Sequence, residues 1–175
     1  FRAGVAPEAL YGAELSLLAP SQLNALRQAA VRAGKWALPG VPIGLKVLGI
    51  GAAADPLFDV NWRAVSAWAR EVWQWSDRIG QPPADGLSAI ELGQIFGLPW
   101  SSEQLQLLHA ERFKDPVACL RQALCDWGWE WSRPVAFRSP LHGQLDLTAG
   151  SPVMLKRIAL EAHERSLVRA AAVSL

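Results

Sequence analysis

The chain has 175 residues, of which 51% are hydrophobic and 19% charged, and carries a formal net charge of +1. Those values describe one globular domain, or one with a small appendage, able to bury roughly two thirds of its unfolded surface. They exclude a protein-wide electrostatic grip on nucleic acid, and the lack of any apolar run near about 18 residues excludes a membrane-spanning helix.

Pro20 and Ser21 open "SQLNALRQAAVRAGKW", where Ser21 suits an N-cap and Leu23, Leu26, Ala30 and Gly34 recur at helical spacing. Gln28, Arg32 and Lys35 fall opposite Leu26, so this helix buries one side and turns a basic, amide-bearing side outward. The prolines and glycines of "ALPGVPIGLKVLGIGAAADP" predict a loop with a short extended piece near residues 45–50. From Asp55-Pro56 the pattern changes. Trp62, Val65, Ala69, Val72 and Trp73 form one helical stripe, widened by Trp68 and Trp75. Arg63, Arg70, Glu71, Gln74 and Asp77 take the remaining arc, and so wide an apolar arc predicts a central core helix.

"GQPPADG" ends that helix as a possible subdomain hinge. Ser88 with Glu91 predicts a capped helix that stops at Gly97-Leu98-Pro99, and Ser101 with Gln104 predicts another over "EQLQLLHAERF". Asp115-Pro116 starts the helix "VACLRQALCDW", which Gly128 closes. Alternation in "WEWSRPVAF" and "GQLDLT", on either side of "RSPLHG", predicts one β-hairpin near residues 129–147. Ser151-Pro152 begins a last helix with two apolar seams, Leu155, Ile158 and Ala162 on one and Val153, Leu160 and Leu167 on the other. Two seams need two partners, one of which could lie in sequence beyond these residues. The fold class that follows is mainly α, a bundle of about six helices with one small hairpin, split near residues 80 and 81 or continuous.

Chemistry-bearing residues do not assemble by spacing. His109, His142 and His163 are scattered without an HxxxH or CxxC pattern, so no metal site is expected. The seven aspartates include no adjacent pair for two-metal chemistry, and Glu14, Asp59 and Asp146 could meet only through the fold. "GIG" at Gly49–Gly51 lacks the third glycine and helix start of a dinucleotide turn. Cys119 and Cys125 sit six apart on one helix, too divergent to pair, and read as buried thiols of a reducing compartment. Trp127, Trp129 and Trp131 would make a stacking platform if exposed, yet a hairpin face packed on helices alternates equally well, and burial is expected. No catalytic residue and no cofactor is expected.

The stretch "PEALYGAELSLL", followed by a capped helix carrying "LRQAAVRAGK", resembles the region just downstream of the polymerase palm in non-LTR retrotransposon reverse transcriptases. The residues that carry the resemblance are Pro7, Leu10, Tyr11, Gly12 and Glu14. The wider layout is similar too: "ADP" before a Trp-rich helix, then "WGWEW", then a helix opened by "SP". The family's catalytic aspartate pair lies upstream of the tyrosine-glycine motif and has no counterpart here. The resemblance therefore implies a non-catalytic, intracellular portion of a polyprotein, in cytoplasm or nucleus, with a thumb-like region over 1–80 and a second helical region over 81–175. Its implied partners are an RNA or DNA template–primer and the remainder of the polyprotein. Charge leans the same way, since residues 1–50 hold five basic against two acidic groups and residues 151–175 hold four against two. Gln28, Arg32 and Lys35, then Lys46, Lys156 and Arg157, are the candidates to touch phosphates. The competing expectation is a helical protein-interaction module with no nucleic-acid role, its Trp-rich helix and two-seamed last helix docking another chain.

Overall fold

The computed structural model describes residues 18–79, 116–133 and 135–173, with side chains 74–79, 116–117 and 133 left aside. The motif over Pro7–Glu14 and the capped helices expected at Ser88 and Ser101 lie outside these residues. Among the described residues the fold is mainly helical, with five α-helices, one 3-10 turn and a three-stranded antiparallel sheet.

Helix α1 spans Pro20–Ala33. Proline stands at its first position, where φ is already helical and the missing N–H costs nothing. Ser21 consequently lies inside the first turn and does not cap it. Gln22 does part of that work, its side-chain oxygen accepting the Ala19 N–H at 3.0 Å. The next segment corrects an expectation: Ile43–Ile50 is helix α2, followed by a 3-10 turn over Ala52–Ala54, and not a loop with an extended piece. Its glycines act here as points of close approach. A Cβ on Gly49 would collide with the Trp36 indole, and one on Gly44 would lie 3.9 Å from the Leu167 carbonyl oxygen of the last helix.

Helix α3, Pro56–Ile79, is the central element. Phe58, Val65, Ala69 and Val72 are buried along it, with Trp62, Trp68 and Trp73 half-buried beside them. Helix α4, Pro116–Trp127, adds Leu120, Leu124 and Trp127 to the same core. It ends in a Schellman motif: Gly128, at φ +69°, donates to Cys125 O and Trp129 donates to Leu124 O. Cys119 is buried, whereas Cys125 is exposed, against the expectation that both are buried; neither forms a disulfide.

The sheet has one strand more than the expected hairpin: β1 Glu130–Arg133, β2 Ala136–Ser139 and β3 Gly143–Asp146, paired in that order. "WEWSRPVAF" turns back on itself, pairing Trp131 with Phe137 and Glu130 with Arg138. The tryptophan alternation thus belongs to three different settings. Trp127 ends α4, Trp129 lies in the connection, and only Trp131 is in a strand. Trp127 and Trp129 are buried as expected, in edge contact at 5.2 Å, and Trp131 stands edge-on to Trp68 at 5.0 Å.

Helix α5, Pro152–Val173, serves two clusters. Leu155, Ile158, Ala159 and Ala162 pack on the main core, while Leu167 joins Val31, Val47 and Ala52 in a smaller one. Half-buried Leu160 touches both. Both seams therefore find partners within the chain, except that Val153, expected on the second seam, is 80% exposed.

Candidate functional site

The sequence-derived candidates separate into two groups. Gln28 and Arg32 lie one turn apart on α1, and Lys35 follows directly after the helix. Lys46 is on α2, three residues before Gly49 and so on the same face of that helix. Helices α1 and α2 pack closely, Gly34 against Ile50 and Trp36 over Gly49, so these residues belong to one corner of two packed helices and the turn between them. Lys156 and Arg157 lie elsewhere, in the first turns of α5, with Lys156 Nζ 5.8 Å from the centroid of the Trp62 ring on α3. Helix α2 meets α5 at Leu167, about 16 Å further along the helix axis. Arg32 and Lys35 are exposed and Gln28 and Lys46 half-buried; among the described residues Arg32, Lys35, Lys46 and Arg157 make no ion pair.

The corner owes its shape to the end of α1. Lys35 N–H donates to Arg32 O at 3.1 Å and Trp36 N–H to Val31 O at 3.0 Å, the same Schellman pattern that closes α4. The left-handed position is filled differently, however. In α4 it is glycine; here it is Lys35, at φ 59°, the one non-glycine residue with positive φ among those described. Gly34 sits one residue earlier, where a Cβ would run into Ile50 of α2. Glycine is thus used for the close approach of two helices, and lysine takes the left-handed strain, which costs about 1 kcal/mol. The turn lays Trp36 across α2. A Cβ at Gly49 would stand no farther than 2.8 Å from Cδ2, Cε3 and Cζ3 alike, so Gly49 lies under the face of the indole and not beside its edge. Trp36 is still 44% exposed, and Leu38, two residues on, 47%.

A second cluster sits beneath this corner and holds α1 in place. Asp55 is fully buried at the start of α3. Its Oδ1 accepts the Leu57 N–H at 3.1 Å, and Arg27 of α1 donates through Nε to Oδ1 at 2.8 Å and through Nη2 to Oδ2 at 2.5 Å. His163 of α5 lies at 2.9 Å from Oδ2 through Nε2, and its Nδ1 is 3.3 Å from the Trp127 indole nitrogen. An indole N–H can only donate, so Nδ1 accepts and Nε2 carries the proton given to Asp55. Burial acts against the Asp55 carboxylate, but the hydrogen bonds from Arg27 and His163, together with the Arg27 charge, outweigh it and lower its pKa from 3.8 to about 2. The Asp55 carboxylate and both His163 ring nitrogens are engaged by the protein itself. The cluster ties α1, α3, α4 and α5 together.

Spacing in the sequence did not reveal Trp36, Gly49 or the Arg27–Asp55–His163 cluster. "KW" and the two glycines of "GLKVLGIG" were the available signals, and the ion pair joins residues 28 and 108 positions apart. Among the described residues no group of three His, Cys, Asp or Glu side chains could hold a metal. A groove of about 470 Å³ between α5 and the β2–β3 turn exposes Leu141 and Val168 over the buried Trp127 and Trp129. On its lining, Glu161 lies 3.7 Å from Arg165 and is also within 3.2 Å of His142 Nε2. Compared with known proteins, the chain matches no protein-family model, and no curated protein or solved structure matches it.

Proposed function

We propose that this chain is a non-catalytic, nucleic-acid-positioning element, the role that its resemblance to the region after a retroelement reverse-transcriptase palm implies. The α1–α2 corner supports it. Three cations, Arg32, Lys35 and Lys46, and the Gln28 amide are carried by these two packed helices and the turn between them, and no carboxylate among the described residues pairs with them. Contacts of that kind hold phosphates and set register without reading sequence. Lys156 and Arg157 are a separate, weaker basic point at the far part of α5.

The test is binding of an RNA–DNA hairpin measured from low to physiological salt. With about three phosphates held, log K should fall against log salt with a slope of roughly −2 to −3. The double substitution R32E/K35E should reduce that slope by about 2. Absence of binding at low salt, or indifference to the double substitution, rejects the reading. The protein-interaction alternative draws on the groove beside α5, where exposed Leu141 and Val168 border an apolar floor. It predicts that L141D/V168D abolishes partner binding while leaving oligonucleotides unaffected.

A further inference from the structure

We propose that Trp36 is a stacking platform for one unpaired base, which makes the α1–α2 corner a site for single-stranded nucleic acid or a frayed strand end. The inference rests on the phosphate-holding reading of the same corner and adds the kind of strand held there. Three observations carry it. The indole has one face laid on Gly49, with no side chain in between, so the ring is pinned flat against α2. Trp36 is nevertheless 44% exposed as a residue, and among the described residues no aromatic or cationic group stacks on it. Cations stand near it in the chain and on the helix beneath it: Lys35 precedes it, Arg32 is a turn earlier, and Lys46 is one turn from Gly49 on the same face of α2.

This contrasts with the remaining described tryptophans. Trp62, Trp68, Trp73, Trp127, Trp129 and Trp131 all pack on the main core. An apolar ring left half in water is ordinary when single, but here the backbone is strained to put it there. Lys35 adopts a left-handed conformation that glycine would take at no cost, and it is this turn that swings Trp36 over α2. A flat, fixed aromatic face among cations suits a base with its phosphates on either side. In a duplex each base face is covered by its neighbours, so such a platform takes only a base that is unpaired or terminal. Sequence preference is not expected, because every base offers a π face.

The experiment compares three probes on the full chain: a single-stranded oligodeoxynucleotide, the same strand in duplex, and an all-abasic oligomer with the same number of phosphates. The single strand should bind tightest, and Trp36→Ala should weaken it by about tenfold while leaving the abasic oligomer unchanged. Trp36→Phe, which keeps a ring over Gly49, should retain most of the affinity, and the salt slope should be the same in all three proteins. Equal affinity for single strand and duplex overturns the proposal, as does a Trp36→Ala loss that is the same with and without bases. So does finding that Trp36→Ala dissolves a dimer in sedimentation while oligonucleotide binding is unchanged. If R32E/K35E abolishes binding and Trp36→Ala does nothing, the stacking inference fails and the phosphate reading stands. If no probe binds at low salt, both fail.

Discussion

Lys35 is the residue at which local stability and the outward role of the corner pull apart. Its left-handed φ of 59° is a position for glycine, and the chain instead places its glycine one residue earlier, against Ile50. Lys35→Gly should therefore raise the stability of the free protein by about 0.5–1 kcal/mol, read from urea midpoints, while reducing the salt slope for oligonucleotides by about one. A destabilised Lys35→Gly would contradict the strain argument. Asp55 offers a second test at this scale. Its folded pKa is depressed from 3.8 to about 2, so its contribution, on the order of 2 kcal/mol, is complete above about pH 4 and is lost as pH falls toward 2. Asp55→Asn should start lower by about 3 kcal/mol, because Arg27 loses its buried partner, yet should lack that acid-dependent loss. Urea titrations between pH 5 and pH 2 distinguish the two; parallel acid slopes would show that another carboxylate governs the loss. The Asp55-Pro56 start of α3 was legible in the sequence, since Asp before proline is a helix-start pattern. That the same carboxylate also holds Arg27 and His163 was not, because nothing local relates residues separated by 28 and 108 positions.

At the scale of elements, α3, α4 and α5 were readable because their apolar positions recur at helical spacing and their ends carry proline or glycine. Helix α2 was not. Three of the cues for a loop, Pro42, Gly44 and Gly49, precede or interrupt it, and the two glycines have a reading only tertiary context supplies. Pro42 stands just before the first turn, and the glycines meet Leu167 and Trp36 across a helix-to-helix contact. The sheet was half legible for a related reason: the alternation of Trp127, Trp129 and Trp131 runs unbroken from a helix end into a strand, so the pattern hides where the strand starts. Gly49→Ala tests the reading of α2. Helix propensity alone favours alanine by about 1 kcal/mol, but the added methyl occupies the place of the Trp36 ring. Stability should change by less than about 1 kcal/mol, while the Trp36 indole N–H signal moves in a two-dimensional NMR spectrum. An indole signal left in place would mean that the ring does not rest on Gly49.

Taken as a whole, the described residues are organised around α5. One part of that helix lines the main core, another joins the small cluster of Val31, Val47 and Ala52, and Leu160 belongs to both. His163 adds a polar tie from α5 to Asp55 between them. A molecule connected in this way should unfold in one step. Far-UV circular dichroism and tryptophan fluorescence should give superimposable urea curves, and Leu160→Ala should shift both by the same amount, about 2 kcal/mol. Separate transitions would show that α1 and α2 form an independent unit. Among the described residues no helix is long and apolar enough to cross a membrane, in keeping with the composition.

The position of the Asp55 tie along the chain has a consequence for how the protein is made. Synthesis runs from the amino end, so α1 and Asp55 leave the ribosome well before His163 exists. At the usual 5–20 residues per second, Arg27 and Asp55 can meet about 5–20 seconds before the histidine that completes their network arrives. In that interval α1 and α2 have no α5 to lie on, since Leu167 is also still to come. The corner that bears Trp36 is translated early and takes its final setting last, and a nascent chain stalled before residue 163 should leave α1 open to protease where the released protein is resistant.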